Sequence, residues 1–305
     1  MPDLKEVLES NISGSYTIER ELGGGGMSRV FVATERLLER KVVIKVLPED
    51  LAAEISNDRF RREILFGAKL QHPHIVPVLS AGEVLGRPYF TMPFIEGESL
   101  RARLDRIGEL PLPDAVRILR EVASAIAYAH KNGIVHRDIK PDNVLLSDEF
   151  ALVTDFGVAK AIRASTVKDD APTVTTAGVA IGTPAYMSPE QALADPHVDH
   201  RSDIYSFGIL AYEMLSGSTP FSGRPTQAMM AAHALEPPEP IRKRRPNVAP
   251  WIADLVMRCL EKRPADRPQT AADLVQMLHE SDEVSRSGSM TSASAPGNRR
   301  LWMIG

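Results

Sequence analysis

Four side chains in one stretch hold most of the chemistry this chain could do: Asp138, Lys140, Asn143 and Asp155. Asp138 and Lys140 stand two apart in His136-Arg137-Asp138-Ile139-Lys140-Pro141-Asp142-Asn143, and Asp155 opens Asp155-Phe156-Gly157. A carboxylate to orient a hydroxyl, a lysine for a transferring phosphoryl group and an Asn/Asp pair for magnesium are the parts that in-line phosphoryl transfer requires. The stretch reads as a short apolar strand from Ile134, a polar loop, a second apolar strand from Val144, and an acidic turn.

The elements that must position these groups begin upstream. Tyr16 to Leu22 and Arg29 to Thr34 read as two strands joined by Gly23-Gly24-Gly25-Gly26-Met27-Ser28. Consecutive glycines between β-rich runs make either a flexible hairpin tip or a loop whose amides can approach phosphate oxygens. Lys41 to Leu47 is a third strand carrying Lys45, and a strand lysine commonly alternates outward to solvent. From Asn57 to Leu70 the pattern is helical, with Phe60, Ile64, Gly67 and Ala68 on one face and Ser56 or Asn57 as cap. Glu63, within it, is suited to an i,i+4 pairing with a neighbouring arginine. Gln71 to Val76 turns into a strand, and its His72 and His74 lack the further ligands a metal site needs. Arg87 to Phe94 is another strand.

From Ser99 the pattern becomes helical. Asp114 to His130 is apolar or small around nearly its whole circumference, the mark of a buried helix. Further helices are expected at Asp203 to Leu215, Pro225 to Leu235, Pro250 to Leu260 and Ala271 to Leu278, the last opened by a Thr270-to-Asp273 capping signal. Residues 161–181 are rich in Thr, Ala and Asp and have no hydrophobic period, and residues 281–300 have a disordered composition.

With 305 residues, 43% hydrophobic and 25% charged, the chain has an ordinary globular composition and can bury a sizeable core. A net charge of −4 without a basic stripe gives no reason to expect nucleic acid. The run Arg242-Lys243-Arg244-Arg245 reads as a solvated loop. Cys259, the single cysteine, lies in an apolar pattern, so it is expected as a small buried hydrophobe in a reducing compartment. No basic start is followed by a leader-like apolar run, and no stretch reaches the roughly 18–20 apolar residues of a membrane span.

The Asp138 loop and the Asp155 turn together, in this order and spacing, resemble the catalytic and metal-binding loops of the protein kinase family. The glycine loop followed by Val30 resembles the family's Gly-x-Gly-x-x-Gly-x-Val, with Ser28 where the third glycine is usual. The segment Gly182-Thr183-Pro184-Ala185-Tyr186-Met187-Ser188-Pro189-Glu190 resembles its substrate-docking turn and Ala-Pro-Glu motif, with Ser188 in place of alanine. The glycine loop and Met187 to Ala192 look like the eukaryotic-like kinases of bacteria, and Lys140 with Thr183 like the serine/threonine branch.

The resemblance implies an α+β, two-lobe kinase fold: a small antiparallel β lobe with one helix and a larger, mainly helical lobe. The kinase domain would span residues 16–280 (small lobe 16–92, hinge 93–97, large lobe 98–280), after an N-terminal arm or short helix at 1–15 and before a tail at 281–305. It implies ATP, with Mg2+ or possibly Mn2+, as cofactors and proteins as substrates, without nucleic acid. Asp138 would be the base, Lys140 the γ-phosphate cation, Asn143 and Asp155 the metal ligands, and Lys45 paired with Glu63 the α/β-phosphate clamp. Leu22, Gly23, Gly24, Gly25, Gly26, Val30, Val43, Met92, Pro93, Ile95 and Leu145 would line the nucleotide site, Pro93 through its carbonyl and Ile95 through its amide. Thr183 would support Ser/Thr transfer, Glu190 would pair with Arg267, and Asp203 would hold the catalytic loop from below. Arg137 and Lys160 would face phosphate on Thr173, Thr175 or Thr176, placed there by one copy of a homodimer acting on the other.

Two other readings compete with this one. A pseudokinase scaffold would be expected to lose Lys45, Asp138 or Asp155, all of which are present; a small-molecule kinase generally lacks the docking segment. Arg299-Arg300-Leu301-Trp302-Met303-Ile304 has the character of the cytoplasmic edge of a membrane helix, which would make 281–300 a juxtamembrane linker in a cytoplasmic, membrane-anchored kinase.

Overall fold

A computed structural model describes residues 3–25, 28–47, 64, 67–148, 150–156 and 183–280. Outside the described residues lie Gly26, Glu63, Gly157, Lys160, Thr173, Thr175, Thr176, most of the helix expected at 57–70 and everything from Ser281 onward.

The first part is built on a five-stranded antiparallel sheet of β1 (Tyr16–Gly25), β2 (Ser28–Glu35), β3 (Arg40–Val46), β4 (Ser80–Val84) and β5 (Arg87–Pro93), in the order β1-β2-β3-β5-β4. The ladder between β1 and β2 runs further than the sequence pattern suggests, since Gly23, Gly24 and Gly25 pair with Val30, Arg29 and Ser28. The strand expected near Val76 is instead a single parallel bridge from Ile75 to Val153. The turn of His72 and His74 holds the backbone there, with the His72 Nε2 beside Ser124 and the His74 Nδ1 beside the Ala151 carbonyl. The neighbouring strand, β4, starts only at Ser80.

Alternation along these strands sorts side chains onto two faces. Phe31, Ala33, Val42, Ile44 and Val46 fill one core together with Leu4, Leu8 and Ile12 of an N-terminal helix, α1 (Leu4–Ile12). Val43, Leu47, Phe90 and Met92 fill a second core on the opposite face, with Val30, Ile95 and Leu145 packed against it. Lys45 lies opposite Val30 and Phe90 in the ladders, so it shares this second face. It does not alternate out to solvent; its side chain is only 17% exposed.

The larger part is helical: α2 (Leu100–Ile107), α3 (Leu112–Lys131), α4 (Pro189–Ala192), α5 (Arg201–Ser216), α6 (Thr226–Leu235), α7 (Ile241–Arg244), α8 (Pro250–Cys259), and a helix over 271–280. A small sheet joins β6 (Glu98–Ser99), at the start of this part, to β7 (Val144–Ser147) and β8 (Phe150–Val153), which follow α3. The α3 helix buries nine apolar residues from Ala115 to Ala129, and in α5 every residue from Ser202 to Leu215 is buried. That all-round apolarity makes these two the central pillars of the core. The capping signal at Thr270 is realised reciprocally: Asp273 N donates to the Thr270 hydroxyl (3.1 Å) and Thr270 N to the Asp273 carboxylate (2.9 Å).

Cys259 is fully buried, and burial pushes its thiol up to about 12. Half of the basic run is structural and not solvated loop. Arg244 donates to Ser218 and to the Thr219 and Pro220 carbonyls, and Arg245 to the Leu110 and Leu215 carbonyls.

Leu8, fully buried between α1 and the sheet, is the test of whether that helix belongs to the folded unit. Leu8→Ala is expected to cost about 2–5 kcal/mol, as cavity-forming core substitutions do. Asp3→Asn, at the exposed end of the same helix, is expected to leave the urea midpoint near the parent's. Equal midpoints for Leu8→Ala and the parent would mean that α1 contributes nothing to the fold.

Candidate active site

The site is assembled from the bottom by one buried carboxylate. Asp203, in the first turn of α5, is fully buried and accepts three hydrogen bonds: from the backbone N–H of His136 (2.8 Å), the N–H of Arg137 (2.6 Å) and the Nε2–H of His130 (2.8 Å). Burial opposes its ionisation, but the bond from His130, that imidazole's nearness, His136 and the Arg137 amide outweigh it and hold the carboxyl below the usual range. These bonds keep Arg137 in the left-handed region at φ 68°, a conformation a side-chain-bearing residue adopts only when its surroundings impose it.

His136, also buried, ties the loop to the end of β8. Its Nε2–H donates to the Thr154 carbonyl (2.8 Å), which leaves Nδ1 to accept the Asp138 N–H (3.2 Å). Asp138 is thereby aimed at its neighbours. Its Oδ2 lies 2.8 Å from the Lys140 ammonium and accepts from Asn143 Nδ2 at 3.1 Å. The same Nδ2 donates to the Asp138 carbonyl (2.8 Å), so the amide nitrogen of Asn143 is committed inward and its oxygen is the end left to accept or ligate. Lys140 reaches further, to the Thr183 hydroxyl at 2.8 Å. The structure thus brings Asp138, Lys140, Asn143 and Thr183 into one cluster.

Across from them, Lys45 and Asp155 form an ion pair at 2.6 Å, both largely buried. Burial opposes ionisation of Asp155, but the Lys45 ammonium, with His136 and Lys140 beyond it, holds the carboxyl below its ordinary value. Asp155 has φ 69°, and its Oδ1 is buried with no hydrogen-bond partner among the described residues. A buried, ionised carboxylate oxygen with no hydrogen-bond donor on it suits a hard divalent cation, which takes oxygen ligands. The residues therefore fit the metal that the sequence implies.

The residues expected to line a nucleotide fall in two groups. Val30, Val43, Met92, Ile95 and Leu145 meet in the second small-lobe core, and the Thr154 hydroxyl sits 3.4 Å from the Met92 sulfur. Leu22 is 45% exposed and outside that cluster. Pro93 ends β5 opposite Val42. Two close approaches explain glycines here. A Cβ on Gly97, at φ 140°, would lie 1.9 Å from the Leu146 carbonyl oxygen, and one on Gly67 would lie 2.7 Å from the Phe156 carbonyl oxygen.

The docking segment is fixed from two sides. Glu190 and the fully buried Arg267 form a bidentate pair with both bonds at 2.8 Å, and Arg267 also donates to the Arg201, Glu261 and Lys262 carbonyls. The second anchor is one that sequence reasoning missed: Arg101 of α2 grips Glu213 of α5 with two bonds (3.0 and 3.1 Å). The Tyr186 hydroxyl donates to Glu213 and accepts from Arg101. Burial, then the nearby Glu213 charge, raises the Tyr186 phenol. Local pattern could not reveal this triad, because its members come from three separate elements.

A family model described as "Protein kinase domain" matches residues 16–279. The chain is 39% identical over 279 residues to the serine/threonine-protein kinase pkn3 of Myxococcus xanthus, an alignment covering 88% of this chain and 50% of that protein. It is 39% identical over 293 residues to pkn2 of the same organism (94% of this chain, 34% of that protein). It is 40% identical over 270 residues to the serine/threonine-protein kinase PknB of Mycobacterium leprae (87% and 42%). The chain spans half or less of the length of these curated relatives.

Proposed function

The chain belongs to the protein kinase domain family, whose members use ATP with a divalent metal, and we propose that it is a serine/threonine protein kinase. It would move the γ-phosphoryl group of ATP onto Ser and Thr hydroxyls of proteins, including its own 157–182 segment. The observation that carries this reading is the Lys140 ammonium, in contact with both the Asp138 carboxylate and the Thr183 hydroxyl, each at 2.8 Å. One cation thus links the candidate base to the docking segment.

In this mechanism Asp138 accepts the hydrogen bond of the acceptor hydroxyl and takes its proton as that oxygen bonds to phosphorus and the β-phosphate oxygen departs. Lys140 counters charge on the γ-phosphoryl oxygens. Lys45, with Glu63 as its proposed partner, holds the α- and β-phosphates, and the glycine loop from Gly23 to Gly26 excludes water. Asn143 and Asp155 would hold magnesium, or manganese in its place, and the bound cation would supply charge neutralisation for the phosphates. Val30, Val43, Met92 and Leu145 enclose the adenine, Leu22 closes the pocket's mouth, and the Pro93 carbonyl and Ile95 amide read the ring edge. Positioning and charge neutralisation supply the rate, since the protein contributes little covalent chemistry.

Phosphorylation of Thr173, Thr175 or Thr176, one copy acting on another, would switch activity on. Support comes from Arg137, next to Asp138, whose Nε is buried without a hydrogen-bond partner among the described residues. A phosphate dianion would add roughly one to three charge-assisted hydrogen bonds there and at Lys160. The sequence of 281–305 supports a cytoplasmic, juxtamembrane placement; none of the described helices is long and apolar enough to cross a membrane. Recovery of the complete gene product only in the soluble fraction would refute an anchor.

Asp138→Asn is expected to leave ATP affinity near the parent's and to lower turnover by about a hundredfold or more. Asp155→Asn should weaken magnesium-dependent nucleotide binding as well. Near-normal phosphorylation of a protein by Asp138→Asn would sink the assignment. Phosphosite mapping after incubation with ATP and magnesium is expected to find at least one of Thr173, Thr175 and Thr176 modified, with the triple alanine variant clearly slower toward an added substrate. Equal initial rates for phosphatase-treated and untreated enzyme would remove the switch and leave the kinase reading standing.

A further inference from the structure

The docking segment departs from the family pattern at Ser188, and the structure gives that departure a purpose. Ser188 caps α4, and its hydroxyl accepts the Gln191 N–H at 3.3 Å. The Gln191 side chain returns the bond, its Oε1 accepting the Ser188 N–H at 3.0 Å. An ordinary capping box would end there. Here the other end of the amide is also used, with Gln191 Nε2 donating to the carbonyl of Arg137 at 3.0 Å. Both residues are buried.

The peptide unit that Gln191 reaches is the one joining Arg137 to Asp138. Its carbonyl is held by Gln191 and its N–H by His136 Nδ1. The plane of that peptide sets the direction in which the Asp138 side chain leaves the backbone. Asp203 holds the two preceding N–H groups, at His136 and Arg137, but touches neither end of this unit. The side chain that reaches the carbonyl end comes from α4, which is itself secured through Glu190 and Arg267.

We propose that Gln191 is a positioning residue for the base. It locks the Arg137–Asp138 peptide to the docking segment, so the acceptor hydroxyl and Asp138 share one frame. This rests on the kinase reading above. It assigns to one amide two separable tasks: Oε1 stabilises α4, and Nε2 aims Asp138.

Gln191→Glu separates them. Glutamate keeps the capping oxygen, is itself a usual partner at that position and suits a helix N-terminus, but it sets an acceptor against the Arg137 carbonyl. For phosphate transfer from ATP to casein, kcat is expected to fall about 10- to 100-fold, the scale of a misplaced reacting group. The KM for ATP should stay near the parent's, amide exchange in the 133–143 peptide should quicken, and the melting midpoint should fall, since a buried carboxylate is set against a carbonyl. Ser188→Ala is expected to lower the melting midpoint as well, but with kcat little changed. Gln191→Met, which also lacks the donor, should show the same kcat loss and faster exchange if the glutamate variant does not fold. Parent-like kcat and exchange in the Gln191 variants, or an equal kcat loss in Ser188→Ala, overturns the proposal. Absence of transfer by the parent enzyme would instead count against the kinase reading, and the exchange measurement would still decide whether Gln191 holds the loop.

Discussion

A carboxylate with no access to water sits under the catalytic loop, and the rest of the site hangs from it. Desolvating Asp203 costs several kcal/mol on its own, and the structure offsets this with three donors, two of them backbone N–H groups of the loop itself. The exchange is specific. Without the loop in its strained course the buried carboxylate would keep only the His130 donor, and without the carboxylate the left-handed Arg137 would lose the bond that compensates it. Each makes the other tolerable, which is how a sparsely populated backbone conformation persists at a functional site. From that footing His136, Asp138 and Asn143 follow by short bonds, each fixing the orientation of the next.

The charges above that footing are arranged as two close pairs, Lys140 with Asp138 and Lys45 with Asp155. Pairing lets four ionised groups share a partly buried space that would not hold one of them alone. The pairs are not equivalent. Asp138 uses its Oδ2 for both Lys140 and Asn143, whereas Asp155 keeps an oxygen buried and unpartnered. In the proposed reaction the first carboxylate would take a proton and the second would hold a cation, a difference set by their neighbours.

Much of this was legible in the sequence, for reasons that also explain what was not. The Asp138 loop and Asp155 turn are local, so spacing carries them. The alternation in β2 and β3 and the helical spacing of the apolar residues in α3 are periodic, and period survives into structure. Lys45 misleads a local reading: an isolated strand lysine belongs outside, and only register with Val30 and Phe90 turns it to the cleft face. Asp203 was legible only through the family resemblance, because by position it is an acid in the first turn of α5 and its partners arrive from a distant loop. Arg101, Tyr186 and Glu213 could not be associated at all, since nothing in three unrelated segments announces a shared contact. Gln191 was visible only as part of a motif, and α1 only as a polar arm or short helix, although its Leu4, Leu8 and Ile12, which precede the residues matched by the family model, close a core face of the sheet.

The two-faced sheet has one more consequence, for errors in pairing. In β3, Ile44 faces the core beneath α1 and Lys45 faces the cleft. A slip of one residue in the ladder inverts every side chain of a strand. It would drive an ammonium group into the hydrocarbon under α1 and set Ile44 where Lys45 pairs with Asp155. The misregistered sheet would thus lose its fold on one side and its chemistry on the other in a single step. Oil on the outer face therefore proofreads the placement of a charge on the inner one, and α1, far from any reacting atom, acts as a guardian of strand register.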